Sequence, residues 1–137
     1  MTNDVRIADE LAVRGLIERY SDAVCRRDPA TIESLWADDC RWSVPDMPAL
    51  AEVRGKAAIV QAFRDAQAQF PFTFLVCIPG AIDVAHDRAT ARSYTIEIIR
   101  DNDGNTRRSA GRYEDTFAKR NGRWLFTERV WYIMDAA

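Results

Sequence analysis

The 137-residue chain contains one histidine and three cysteines, and both scarcities exclude chemistry. A lone His86, set beside Asp87 where a hairpin turn is expected, gives no basis for a histidine-rich metal site or a Ser-His-Asp triad. Cys25, Cys40 and Cys77 are odd in number, far apart and set in apolar surroundings. They read as buried free thiols rather than as disulfides or a zinc site. No apolar run approaches the roughly 20 residues of a membrane span. The polar start Thr2-Asn3-Asp4-Val5-Arg6 is unlike a signal peptide, so a cytoplasmic protein without membrane attachment is expected. There is also no excess of either charge. Nineteen basic residues face 21 acidic ones, a net charge of −2, and the pairs Arg26-Arg27 and Arg107-Arg108 are too short to make a nucleic-acid surface. A glycine-rich phosphate loop, an internal repeat and a low-complexity tract are all missing. No metal and no cofactor are therefore expected.

What is present is apolar patterning. The length suits one domain, 1–137, with room for a proper core. Its final third, from Gly111 to Met134, consists of two runs rich in aromatic and β-branched residues flanking Asn121-Gly122, a dipeptide suited to the positive φ angles of a tight hairpin. Strict alternation places Tyr113, Asp115 and Phe117 on one face of the first run. On the second it sets Trp124, Phe126, Val130 and Tyr132 against Leu125, Arg129, Trp131 and Ile133. The last strand is then apolar on both faces. One face needs a cover beyond the chain's own helices, most simply a second subunit on the convex side of the sheet, so a homodimer is expected.

Earlier in the chain, Val13, Leu16, Ile17, Tyr20 and Val24 recur at three- and four-residue steps, predicting an amphipathic helix over 6–27 with Gly15 as its weak point. Asp28-Pro29 starts a short second helix whose apolar side is Ile32, Leu35 and Trp36. Cys40 to Val44 alternates like a strand, and the proline-interrupted segment 45–53 suits a mouth or lid. A third helix follows Gly55, presents Ile59, Val60, Phe63, Ala66 and Phe70, and ends at Pro71. Strands are predicted over 72–84, 89–100, 107–119 and 123–134, with turns at His86-Asp87, Asp103-Gly104 and Asn121-Gly122. The class is α+β, with helices packed against an antiparallel meander.

This order of elements, with the phrases Arg19-Tyr-Ser-Asp22, Leu35-Trp-Ala-Asp-Asp39, Arg54-Gly-Lys-Ala-Ala-Ile59, Gly111-Arg-Tyr-Glu-Asp115 and Gly122-Arg-Trp124, resembles the SnoaL-like branch of the nuclear transport factor 2-like superfamily over nearly the whole chain. The resemblance implies a cone-shaped α+β barrel in which three N-terminal helices pack on a strongly curved, mostly antiparallel sheet around an apolar cavity. Members commonly dimerise through the outer face of that sheet. Relatives include dehydratases, a dehydrochlorinase, steroid isomerases and polyketide cyclases. The dehydratase-like members remove a proton with a histidine oriented by an aspartate. Counted from Tyr20, that aspartate falls on Cys25 and the histidine on Phe74 or Leu75; the strand aspartate of the steroid isomerases falls near Val44. The dyad is missing from this chain.

Three residues are left as candidates for chemistry. Glu97, an acid between apolar neighbours, matches a strand position where a dehydratase relative carries a functional aspartate; the alternative is a solvated or salt-bridged strand position. Tyr20 matches a tyrosine that polarises a substrate oxygen, or else is a core tyrosine bonded to a carbonyl. Arg129 matches a last-strand arginine that would stabilise a leaving anion, or else pairs with an acid such as Asp115. Trp42 and Tyr113 are expected as cavity walls, with Cys25, Leu75 and Trp131 completing the substrate-binding set. The function implied is that of a cofactor-independent lyase or isomerase acting on a small hydrophobic cyclic or aromatic molecule. The alternative is a dimeric binding module that has lost the chemistry.

Overall fold

The computed structural model describes residues 2–137. Helix α1 runs from Asn3 to Arg26, capped by Thr2, whose hydroxyl accepts from the Val5 amide. It passes through Gly15 without a break and stops where Arg27 turns into the left-handed region, at φ 58°. Its stripe of Val13, Leu16, Ile17, Tyr20 and Val24 is buried, as the three-and-four spacing requires. Asp28 caps α2 (Pro29–Ser34) by accepting from the Thr31 amide at 3.1 Å, and proline occupies the first turn.

The chain leaves α2 sooner than the apolar spacing suggests. Strand β1 spans Trp36–Ser43, so Trp36 belongs to the sheet and not to the second helix. After β1 come a 3-10 turn at Pro48–Leu50, the two-residue strand β2 (Val53–Arg54) and α3 (Lys56–Gln69). Four long strands follow: β3 (Phe72–Ala85), β4 (Arg88–Arg100), β5 (Thr106–Arg120) and β6 (Arg123–Ala136). They form one sheet in the order β2-β1-β6-β5-β4-β3. Every pairing is antiparallel except β1 with β6, which is parallel. The sheet curls around the helices without closing. At the β5–β6 turn Asn121 (φ 52°) and Gly122 (φ 77°) both take positive φ, as a tight primed turn demands.

One register shift corrects the face assignment of β6. Phe117 pairs with Phe126 while Thr116 pairs with Glu128, so Thr127 is an extra residue, a β-bulge. Before it, Trp124 and Phe126 face the helices. After it the parity reverses, and Arg129, Trp131 and Ile133 face the same way, opposite Asp115, Tyr113 and Gly111. The opposition of Trp124, Phe126 and Tyr132 to Leu125, Trp131 and Ile133 therefore does not hold. The large side chains of β6 converge inward, with Phe117 and Phe126 fully buried and their rings 4.8 Å apart. Burial of such a side chain contributes about 1.5–3 kcal/mol. A run of exposed apolar side chains lies on the convex face of β3 and β4: Ile78, Ile96, Phe74 and Tyr94.

Candidate functional site

Between α1, α3 and the concave sheet lies a cavity of about 120 Å³. Its deep wall is aromatic and aliphatic: Tyr20 from α1, Trp42 from β1, Ile59 and Phe63 from α3, Leu75 from β3 and Tyr113 from β5. Polar groups from Arg27, Gln67, Thr73 and Glu97 also line it. The helix stripe brings Tyr20 to this wall, and the alternation of β5 brings Tyr113. Glu97 pairs with Leu75 and Ser109, four residues along β4 from Ser93, the partner of Tyr113. Four residues of strand span about 13 Å, so carboxylate and phenol enter the cavity from separate ends.

Of the expected site residues, Tyr20, Trp42, Leu75, Glu97 and Tyr113 line this cavity; Arg129, Cys25 and Trp131 do not. Arg129 is wholly buried and forms a bidentate pair with Asp115 at 2.7 and 3.0 Å. Its guanidinium lies 3.6 Å from the ring centroid of Tyr113, 4.3 Å from Tyr20 and 4.5 Å from Phe126. The charge therefore sits behind the two tyrosines, as a cation on their π faces. Trp131 is spent on structure: its indole donates to Thr95 Oγ1 at 3.0 Å, over Gly111, where any Cβ would collide with that indole. Cys25 Sγ both donates to the Leu75 carbonyl and accepts from the Leu75 amide, each at 3.3 Å. The two positions that the resemblance assigns to the aspartate and histidine are thus neighbours, and here they fasten α1 to an edge strand. The segment 45–53 supplies no lining residue to this cavity; Asp46 accepts from the Ile133 amide at 3.1 Å.

The electrostatics divide the lining into donors and one base. Burial raises the Tyr20 phenol above its ordinary pKa, with the charge of Arg129 pulling it partly back. Burial raises Tyr113 further still. Both phenols therefore stay protonated at neutral pH and act as hydrogen-bond donors. Desolvation also raises Glu97, opposed by the positive charge of Arg107, and for a carboxyl this is a shift toward neutrality. A carboxylate so placed can take and return a proton. Among the described residues no three His, Cys, Asp or Glu are grouped to hold a metal. Sequence reasoning missed Arg27, Thr73 and Gln67. Arg27 follows the helix and donates to the carbonyls of Gln67 and Phe70 at 2.7 and 2.9 Å, a tertiary bond that no local pattern announces.

A curled sheet around three helices, with a cavity lined by a carboxylate and two phenols, defines a cone-shaped α+β fold. The chain belongs to the SnoaL-like domain family, whose match extends over residues 5–130. Among solved structures it is similar to a scytalone dehydratase candidate from Novosphingobium aromaticivorans: 22% identity, TM-score 0.88, 99% of this chain and 91% of that one. It is also similar to the hexachlorocyclohexane dehydrochlorinase LinA-type3 from Novosphingobium barchaimii: 15% identity, TM-score 0.89, 99% of this chain and 93% of the other. A candidate aromatic ring hydroxylase from Novosphingobium aromaticivorans matches at 22% identity and a TM-score of 0.87, over 96% of this chain and 93% of that one. At these identities the likeness is one of fold. No curated protein matches in sequence. Among the described residues no helix is long and apolar enough to cross a membrane.

Proposed function

We propose that the protein is a cofactor-independent lyase or isomerase acting on a small hydrophobic cyclic molecule, with Glu97 as the proton-transfer group and Tyr20 and Tyr113 as donors to the substrate oxygen. The observation that carries this reading is that Glu97, raised by desolvation, lines the same cavity as two phenols that remain protonated. In the reaction, ionised Glu97 takes a proton from carbon and the electron pair moves toward the oxygen held by the tyrosines. For elimination, the carboxylic acid then returns that proton to a leaving hydroxyl, giving water and a double bond. For isomerisation, the proton goes back to another carbon. Arg129 does not reach the substrate in this scheme; it favours charge on the tyrosine-held oxygen from behind the rings.

Glu97→Gln, nearly isosteric but unable to accept the proton, is expected to abolish turnover while leaving the fold intact. Tyr20→Phe is expected to slow turnover roughly 10- to 1000-fold. Turnover of a substrate by Glu97→Gln at the parent rate would remove the assignment. Screening the parent and Glu97→Gln for water loss or double-bond migration on cyclic hydroxyketones tests it directly.

One observation favours a second reading. The Cys25–Leu75 contact fills the dyad positions with a structural fastening, as expected of a binding module that has given up chemistry. Such a module would bind cyclic ligands with Glu97 ionised or replaced and would turn none over. In either case we propose a homodimer, with its interface on the convex face of β3 and β4 and not on β6.

A further inference from the structure

Four indole N–H groups are present, and their fates differ. Trp124 donates to Asp9 and Trp131 to Thr95. Trp36 and Trp42 are buried at Nε1 without a partner, and of these only Trp42 lines the cavity. A buried N–H without an acceptor costs about 1–3 kcal/mol, so such a group on a cavity wall calls for an explanation. The Trp42 indole and the Tyr113 phenol line the same wall, and the indole N–H slightly opposes the rise that burial imposes on the phenol, yet it falls short of hydrogen-bond geometry. An indole can only donate, whereas a phenol accepts and donates. The polarity of the pair is therefore fixed: Trp42 N–H toward Tyr113 oxygen, and the Tyr113 proton onward. Hydrogen bonds in series strengthen one another, so an acceptor that engages the Tyr113 proton would draw the indole bond closed.

The cavity's size limits what that acceptor is attached to. Its volume is about 120 Å³, just below the about 150 Å³ of an engineered apolar cavity that takes up benzene. Its walls at Ile59, Phe63 and Leu75 are apolar, and the donors Tyr20 and Tyr113 remain protonated. We propose that the cavity takes a single six-membered ring bearing one acceptor oxygen, a monocyclic ketone in class, and that Trp42 is a positioning residue that holds the Tyr113 hydroxyl as donor to that oxygen. The proposal rests on the catalytic reading above for the meaning of the site, but not for its test.

The test is binding to the Glu97→Gln protein, which removes turnover from the measurement. Cyclohexanone, methylcyclohexane and the two-ring 2-decalone are titrated by calorimetry, and the carbonyl stretch of bound cyclohexanone is recorded by infrared difference spectroscopy. Cyclohexanone is expected to bind at least tenfold more tightly than either of the others. In Trp42→Phe its carbonyl stretch is expected to move to higher frequency, part of the way toward the value in Tyr113→Phe. Equal or tighter binding of 2-decalone overturns the single-ring assignment, and an unmoved carbonyl stretch in Trp42→Phe overturns the role of Trp42. Should Trp42→Phe not fold, the nitrogen-15 indole resonance of Trp42 in the Glu97→Gln protein decides. Movement with cyclohexanone but not with methylcyclohexane supports the proposal; no movement with cyclohexanone overturns it. If Glu97 is not the catalytic base, all these binding outcomes stand. If cyclohexanone does not bind, the single-ring proposal is overturned, and the Glu97→Gln turnover result stands on its own.

Discussion

Glu97 and Gly111 show how single residues fix this site. The raised Glu97 carboxyl sets a direction for pH dependence. Because the folded state holds this proton more tightly than the unfolded chain does, folding binds protons in the window between the unfolded and folded pKa values. The stability contribution is complete below that window and is lost as pH rises through it. Glu97→Gln is therefore expected to be more stable than the parent at pH 7 by a margin that shrinks toward pH 4, as chemical denaturation at the two pH values would show. Activity should follow the opposite sense: its rising limb should lie above the ordinary carboxylate range and be absent from any residual turnover of the variant. Gly111 is required for lack of room, since a Cβ there meets Trp131 and Thr95. Gly111→Ala should cost about 1–3 kcal/mol and lower the melting temperature, as for other overpacked sites. Little of this was legible in advance. A glycine within a strand pattern signals a close approach by something, but which side chain approaches is set by a partner 20 positions away.

For the elements, the hairpin β5–β6 carries the buried pair that backs the cavity. Removing one member leaves an uncompensated charge in the core, so Arg129→Met or Asp115→Asn alone should destabilise by about 3–5 kcal/mol. The double variant Asp115→Leu, Arg129→Met should recover much of that loss. Urea midpoints for the single and double variants measure the difference, and a double loss equal to the sum of the singles would contradict it. Elements with local signals were readable: the α1 stripe, the Asp28-Pro29 start, the Asn121-Gly122 turn. The bulge at Thr127 was not, because Thr127-Glu128 carries neither glycine nor proline and alternation alone cannot register an inserted residue. That one residue puts Arg129 and Trp131 on the same face as Trp124 and Phe126 instead of the opposite one, and it took away the first argument for where a partner binds. The early start of β1 was hidden for a related reason. Trp36 and Leu35 satisfy a helical stripe as well as a strand, and pairing with β6 decides between them.

For the whole molecule, the fold class and the cavity-bearing cone could be read from element order and resemblance. Contact between segments far apart in sequence could not, and it is such contact that joins Arg27 to the end of α3 and brings Trp42 and Tyr113 to one cavity wall. The apolar convex face of β3 and β4 has its own consequence. Ile78, Ile96, Phe74 and Tyr94 are 58%, 52%, 43% and 43% exposed and lie on adjacent strands, with Phe74 opposite Ile98, Ile78 opposite Tyr94 and Val76 opposite Ile96. A contiguous patch of this kind favours association. Sedimentation at micromolar concentration is expected to show a dimer, and Ile96→Glu is expected to shift it to monomer without loss of secondary structure. A monomeric parent under those conditions would dispose of the interface.

The extra residue at Thr127 also bears on how such a chain can vary in descent. Point substitutions in β6 change one side chain at a time, and the cavity can be retuned by them gradually. Loss of the single codon for residue 127 would only close the bulge, because Phe126–Phe117 and Glu128–Thr116 would become consecutive pairs and Arg129 would stay opposite Asp115. A codon gained between Glu128 and Arg129 would instead turn Arg129, Trp131 and Ile133 together onto the opposite face, and leave Asp115 without its counterion and Tyr20 and Tyr113 without the cation behind them. Position 127 should therefore be where this strand tolerates a change of one residue in length, while one-residue insertions after it are purged and the loops at 45–52 and 101–105 drift in length among related genes.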